Sequence, residues 1–269
     1  MTFPLFLIDP SKDETPVNSD ERLHDGWVIT VPEYVARHAF KAMRLGPGER
    51  LYLSDGRGLR VLATVRDPAS RQVMVEEVGR DPAPVTRLRL IQALAKSGRD
   101  EQAIETATEV GVDLVMPWQA NRSIVQWKGN KEAKAAGKWR QILNAATEQS
   151  RRTWAPELES KATSRNIVEM CLRAGVHGDM VIVLHQDATD TWDSIEDRVR
   201  DISERCLDDG RPRTISVVVG PEGGISEEEV SSFVEAGASA VVLGSNIMRA
   251  SSAGPVALAL LSRVLGRFA

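Results

Sequence analysis

The spacing of apolar positions changes character near residue 85. Before it, short runs alternate apolar and polar residues between glycine-bearing turns. Residues 3–8, 27–31, 50–54, 59–65 and 72–78 read as five strands, and residues 34–43 as a helix with Val35, Ala39 and Ala42 on one side. The turns L-G-P-G at 45–48 and D-G-R-G at 55–58 suit the connections between them. Short strands joined in this way predict a small β-barrel domain over residues 1–80. The segment G-R-D-P-A-P at 79–84 breaks the pattern and makes 81–84 a linker. From 85 to 269, solid β-branched runs alternate with stretches of helical period. Strands are expected at 88–94, 113–117, 180–184, 214–219 and 240–243, and helices at 101–110, 131–150 and around 191–207. Strand–helix alternation of this kind predicts an α/β domain with a parallel sheet covered by helices on both faces.

The carboxyl-terminal stretch is the most informative. The strand at 214–219 breaks at Gly220, Pro221, Glu222, Gly223 and Gly224, a run too rich in glycine and proline to continue a strand or a helix. Ser226 then precedes Glu229 by three residues, the spacing of a capping box, and the helix it opens stops at Gly237. The strand at 240–243 releases a second loop at Gly244, running to Ser252. A closing apolar helix follows, with Pro255 near its first turn. If the two strands are parallel, both loops lie at one carboxyl edge, where open α/β sheets bind ligands. Leu184 and His185 end the strand at 180–184 and border the same crevice. The glycine loop matches neither G-x-x-x-x-G-K-[ST] nor G-x-G-x-x-G. Glu222 would repel a phosphate and suits a cationic or hydrogen-bond-donating ligand. From spacing alone, a ligand loop and a plain tight turn fit equally.

Composition narrows the class. A chain of 269 residues with 42% hydrophobic and 27% charged side chains is ordinary for a globular protein, and no apolar run reaches membrane-span length. The apolar start at 3–8 lacks a basic flank, so no signal peptide is expected. Cys171 and Cys206 form no metal or redox spacing, and the four histidines make no ligand pair. These features lead us to expect a reduced cytoplasmic protein without a metal.

Charge is distributed unevenly. Residues 85–165 carry a net +5, against −2 before them and −7 after them. From 119 to 154 there are eight basic and two acidic residues, and four of the six tryptophans (Trp118, Trp127, Trp139 and Trp154) fall at 118–154. Basic side chains neutralise phosphates, and exposed aromatics stack on unpaired bases. Trp118 and Trp139 are expected to pack inward, and Arg122, Arg151 and Arg152 to face RNA.

The motif G-P-E-G-G-I-S at 220–226, with Leu243, Gly244, Ile247, Met248 and Arg249 after it, resembles the SPOUT methyltransferases, most closely the RsmE family. The resemblance extends through Lys96, the run A-T-E-V-G at 107–111, Arg122, Ser123, Glu148, Gln149 and Arg152. His38, the run 44–49 and the run 55–57 resemble the family's PUA-like RNA-binding domain. The resemblance implies several properties. The fold would be a SPOUT-type parallel sheet with a carboxyl-terminal trefoil knot, after a PUA-like β-barrel. The activity would be S-adenosylmethionine-dependent methylation of N3 of a uridine in 16S ribosomal RNA, on free RNA or the small subunit, by a homodimer. Cofactor contacts would fall to Leu184, His185, Gly220, Pro221, Glu222, Gly223, Gly224, Leu243, Gly244, Ile247, Met248 and Arg249. RNA contacts would fall to Arg44, Arg57, Lys96, Arg122, Arg151 and Arg152.

N3 of uracil is protonated at neutral pH, so the reaction needs that proton removed or the imide polarised. Glu222 is the candidate base, or a shaper of the cofactor loop. Arg249 is the candidate to steady charge on the uracil carbonyls. The chain departs from the family pattern at Asn246, often arginine, and over 250–252, A-S-S here and often T-E-T. Alternatives are a SPOUT enzyme acting on ribose 2′-OH or another base, and a non-catalytic RNA-binding ribosome assembly factor.

Overall fold

The structure, a computed structural model, describes residues 3–9, 23–204 and 210–268. The chain divides into two compact units. The first is Met1–Ala83 with Asn144–Ala155, and the second is Pro84–Leu143 with Pro156–Ala269. The boundary between 83 and 84 falls within the expected linker. Residues 144–155, expected in the second domain, belong instead to the first unit.

The first unit is a five-stranded sheet: β1 (Leu5–Leu7), β2 (Val28–Thr30), β3 (Arg50–Ser54), β4 (Leu59–Asp67) and β5 (Gln72–Arg80), in the order β1-β3-β4-β5-β2. Alternation in β4 buries Leu59, Val61, Ala63 and Val65, which join Phe6, Leu51, Leu53, Val73 and Val75 in one core. Register shifts between β4 and β5 mark two irregularities. Among the described residues β1 and β2 remain the two edges of the sheet, so the expected barrel is seen as an open sheet. The helix expected at 34–43 is α1 (Glu33–Ala36), widening into π-type turns over Arg37–Ala42, where the Met43 N–H reaches back to the His38 carbonyl.

The second unit carries an eight-stranded sheet made of parallel pairs. Its elements are β6 (Thr86–Ala93), α2 (Arg99–Val110), β7 (Leu114–Gln119), α3 (Asn130–Ser150, its residues from 144 on counted in the first unit), β8 (Glu157–Leu158) and β9 (Ala162–Thr163). There follow α4 (Ser164–His177), β10 (Met180–Leu184), β11 (Asp190–Thr191), α5 (Asp193–Glu204), β12 (Arg213–Val219), α6 (Glu227–Glu235), β13 (Ser239–Val242) and α7 (Ala250–Val264). Strand order is β11-β13-β10-β12-β6-β7-β8, with β9 also on β7. Residues 205–209, which include Cys206 and the end of the helix expected to reach 207, lie outside the described residues.

The sheet is covered on both faces. Ile215, Val217 and Val219 of β12 pack with Ile104, Ile195, Leu258 and Leu261 on one side, while Val218 packs with Ile167, Cys171 and Phe233 on the other. Every residue of β12 is buried, as a strand needs when parallel neighbours and two helical layers surround it. Arg267, after α7, donates to the Gly111 and Thr86 carbonyls and to the buried Asp113 carboxylate, so the chain end is tied to the amino edge of the sheet.

Helix α4 was absent from the expected elements. Its signals were present: Thr163 and Asn166 form a capping box, and Ile167, Cys171 and Ala174 share its buried face. The expected loop to 252 ends earlier, because α7 begins at Ala250. Pro255 is therefore its sixth residue rather than a first-turn proline. No helix among the described residues is long and apolar enough to cross a membrane.

Helix α7 lies close against the sheet at Gly254, where an added Cβ would sit 2.7 Å from Leu90 Cδ1. Leu90 is fully buried. Gly254→Ala should therefore destabilise the protein by about 1–3 kcal/mol through overpacking, despite alanine's better helix propensity. Urea unfolding would measure it, and an unchanged or raised midpoint would refute the close fit.

Candidate functional site

The site grows out of the sheet topology. Strand β10 pairs in parallel with β12 on one side and β13 on the other, so all three release their loops at one edge. Because β13 lies beyond β10, the chain must return across the edge before α7 can pack on β12 and β6. The loop 243–249 makes that return. The loops after β10, β12 and β13 enclose a cavity of about 510 Å³.

Each loop has a local reason for its shape. An added Cβ at Gly220 would meet Ile225 Cγ1 at 2.7 Å and the Ile225 nitrogen at 3.1 Å, so the turn closes only on glycine. Gly224 takes φ +72°, and its N–H bonds back to the Pro221 carbonyl. Ser226 and Glu229 form the capping box expected from their spacing and fix the start of α6. The His185 N–H donates to the Val241 carbonyl, tying the first loop to strand β13, and His185 Nδ1 accepts from the Asp187 N–H.

All the residues assigned to the cofactor from sequence line this cavity: Leu184, His185, Gly220, Pro221, Glu222, Gly223, Gly224, Leu243, Gly244, Ile247, Met248 and Arg249. Ile247 is 79% exposed and Met248 36%, so the third loop presents apolar side chains to an open wall. Arg249 caps α7 without a side-chain bond to the helix. Glu222 Oε1 accepts the Lys96 N–H at 2.9 Å and lies 3.7 Å from Arg99 Nη1, so one carboxylate oxygen is already engaged. Of the two departures from the family pattern, Asn246 lines the cavity, whereas Ser251 is buried in the first turn of α7.

The RNA candidates do not share one place. Lys96 and Arg122 belong to the second unit, and Arg122 lines the cavity, with Nη1 donating to the Gly223 carbonyl at 3.2 Å. Arg44, Arg57, Arg151 and Arg152 belong to the first unit. A backbone bridge pairs Arg57 with Trp154, so Arg57 lies beside the segment carrying Arg151 and Arg152. Arg44 and Arg151 both take positive φ, 59° and 57°. The tryptophans offer less than their number promised. Trp118 and Trp139 pack inward as expected, Trp127 is buried edge-on against Trp139, and half-buried Trp154 donates to the Asp81 carbonyl. Within the basic stretch Lys138 is paired with Glu101, which reduces its free charge, while Lys161, beyond the stretch, pairs with Glu132.

Arg99 and Asp187 were not among the sequence candidates, yet both line the cavity. Arg99 stands three residues after Lys96, at the end of the loop that a parallel β6 delivers to the same edge, so parallel topology was the signal available. That loop is pinned by Asp100, 5% exposed, whose carboxylate accepts the Ala95 and Glu101 N–H groups at 3.2 and 2.9 Å. Among the described residues, no group of three or more His, Cys, Asp or Glu side chains is arranged to hold a metal ion.

Comparison with known proteins agrees with this architecture. The RNA methyltransferase domain family matches residues 81–262, and the RNA methyltransferase PUA domain family matches residues 34–78. The chain is thus an RNA methyltransferase by its domains. The ribosomal RNA small subunit methyltransferase E of Mycobacterium bovis is 34% identical over 233 residues, spanning 86% of this chain and 84% of that protein. The protein of the same name from Synechocystis is 29% identical over 241 residues, spanning 88% and 73%. The crystal structure of a ribosomal RNA small subunit methyltransferase E from Neisseria gonorrhoeae, bound to S-adenosyl methionine, shares the fold with a TM-score of 0.76 at 23% identity over 98% of both chains. The chain belongs to the ribosomal RNA small subunit methyltransferase E family.

Burial raises the Asp100 pKa above its ordinary 3.8, against the two N–H bonds that lower it. The folded chain therefore holds this proton more tightly than the unfolded chain. The stability so gained is complete below about pH 3.8 and is lost as pH rises through the raised native value. Asp100→Asn cannot ionise. The stability of wild type relative to Asp100→Asn, from urea unfolding between about pH 4 and pH 7, should fall with pH and then level. A flat or rising difference would contradict the assignment.

Proposed function

We propose that the protein transfers a methyl group from S-adenosylmethionine to N3 of one uridine in 16S ribosomal RNA of the small subunit. The observation that carries the reading is the cavity into which three parallel strands deliver all twelve residues assigned to the cofactor from sequence. Its volume lies within the range of about 300–1,000 Å³ usual for small-ligand sites. Its lining fits the cofactor's chemistry. Leu184, Leu243, Ile247 and Met248 offer apolar surface to a nucleoside, Glu222 and Asp187 meet a sulfonium or ammonium, and Arg99 meets a carboxylate.

When bound, the sulfonium supplies an electrophilic methyl group; the protein's work is positioning and charge control. In this reading Arg249, at the amino end of α7, steadies negative charge on the uracil carbonyls, adding to the positive end of the helix dipole. Glu222 holds the loop at Lys96 and Arg99 through Oε1, leaving Oε2 to accept the N3 proton directly or through water. Arg122 and Lys96 receive RNA at the cavity mouth, and Arg44, Arg57, Arg151 and Arg152 of the first unit contact RNA phosphates. A trefoil knot accords with the return of the chain from β13 past β10 to α7. A homodimer and a cytoplasmic location follow from the family resemblance.

The decisive experiment incubates the protein with labelled S-adenosylmethionine and undermodified small subunits, digests the RNA, and identifies the nucleoside by mass spectrometry. We expect 3-methyluridine at one site. Label on ribose or on another base would overturn the assigned atom. Absence of label, with cofactor binding intact by calorimetry, would overturn the activity.

Arg151→Ala combined with Arg152→Ala should weaken RNA binding and reduce the slope of log affinity against log salt by about 0.7–0.9 for each phosphate that is no longer neutralised. Anisotropy titrations across a salt series would measure both. An unchanged slope would place the phosphate-binding surface elsewhere.

A further inference from the structure

We infer that Glu229 is a positioning residue for Arg122: a buried carboxylate that fixes where the Arg122 guanidinium stands on the cavity wall. The inference rests on the proposed function and adds a residue to its machinery.

Glu229 is 3% exposed. Its Oε1 accepts the Asn121 N–H at 2.8 Å and the Ser164 hydroxyl at 2.6 Å. Its Oε2 accepts the Ser226 N–H and the Ser226 hydroxyl, both at 3.1 Å. The Ser226 oxygen in turn accepts from Asn121 Nδ2 at 3.4 Å, and Ser164 accepts from Trp118 Nε1 at 3.3 Å. These donors are neutral. A buried carboxylate without a cation is costly, and it persists where both oxygens are saturated by hydrogen bonds.

A capping box needs only one glutamate oxygen, returned to the N-cap N–H. Here Oε2 does that. Oε1 is directed to two other segments, the loop after β7 and the start of α4, which α6 does not need for its own capping. Asn121 immediately precedes Arg122, and Ser226 closes the turn that begins at Gly220. Between these two anchored points lies the contact of Arg122 Nη1 with the Gly223 carbonyl. Glu229 therefore holds the backbone on both sides of that contact. A long exposed arginine loses many rotamers on binding, so a fixed root and a fixed partner lower the cost of placing its charge.

Glu229→Gln keeps the size and one acceptor but turns an NH₂ group toward one pair of donors, releasing one side of the clamp. The test is a double-mutant cycle of wild type, Arg122→Ala, Glu229→Gln and the double variant. It is read as retention of undermodified small subunits on filters and as kcat and KM for methyl transfer. Glu229→Gln should weaken subunit binding and raise subunit KM about tenfold in the wild-type background, and less than about twofold when Arg122 is already alanine. Thermal unfolding should show the same stability loss in both backgrounds. Equal factors for binding in both backgrounds would mean that Glu229 only caps α6 and would overturn the inference. Wild type that binds subunits but transfers no methyl group would overturn the proposed function, and the binding cycle would still decide the role of Glu229. Should Glu229→Gln fail to fold, Ser226→Ala removes one hydroxyl donor and enters the same cycle with the same criterion.

Discussion

The second unit depends on one constraint, the satisfaction of β12 in the middle of a parallel sheet. A strand buried on both faces must find every backbone partner in its neighbours, and β12 does so between β10 and β6. That pairing sets the direction of both neighbours and brings their carboxyl ends to one edge. It also leaves β13 to pair on the far side of β10. The loop after β13 then has to recross the edge to bring α7 home. The cavity is the space this recrossing encloses, so it arises from strand order as much as from loop sequence.

Tight packing and polar anchoring divide the task of holding the loops. Gly220 and Gly254 allow approaches that a Cβ would block, one within the turn and one between α7 and Leu90. Hydrogen bonds do the rest from buried acidic groups, Asp100 beneath the β6–α2 loop and Glu229 beneath the turn after β12. Asp100 is satisfied by backbone N–H groups and Glu229 by N–H groups and hydroxyls, which is how buried acidic groups fix irregular chain without leaving polar atoms unpaired. The cavity wall carries cations and carboxylates side by side, an arrangement suited to a ligand with charges of both signs.

The first unit tells a different story about charge. Its arginines are not free decorations on a sheet. Arg57 is set by the Asp55 carboxylate, which accepts its N–H at 2.7 Å, and by the bridge to Trp154. Gly58 has no room for a Cβ against the Trp154 ring, so the two stretches of chain meet closely there. Helix α3 ends in this unit, where the Glu148 carboxylate receives the Leu7 N–H and lies 3.5 Å from His38. Burial raises the Glu148 pKa, with that N–H and His38 working against the shift.

The sequence by itself determined the change of period near residue 85, most strands and helices of the second unit, the capping box at Ser226 and Glu229, and the glycine loops that line the cavity. Those features are local: period, cap spacing and turn chemistry are written within a few residues of one another. Helix α4 escaped that reading, although the Thr163 cap and the Ile167 stripe were local too. Only the tertiary structure decided the rest. Arg99 and Asp187 reach the cavity because parallel strands bring distant loops to one edge. Trp127 of the basic stretch turns inward against Trp139 because the core can bury it. Residues 144–155 join the first unit, and Glu229 divides its oxygens among three segments. Each of these outcomes depends on which surfaces meet across long stretches of chain, as between Ser164 and Glu229, and spacing along a single sequence carries no record of such meetings.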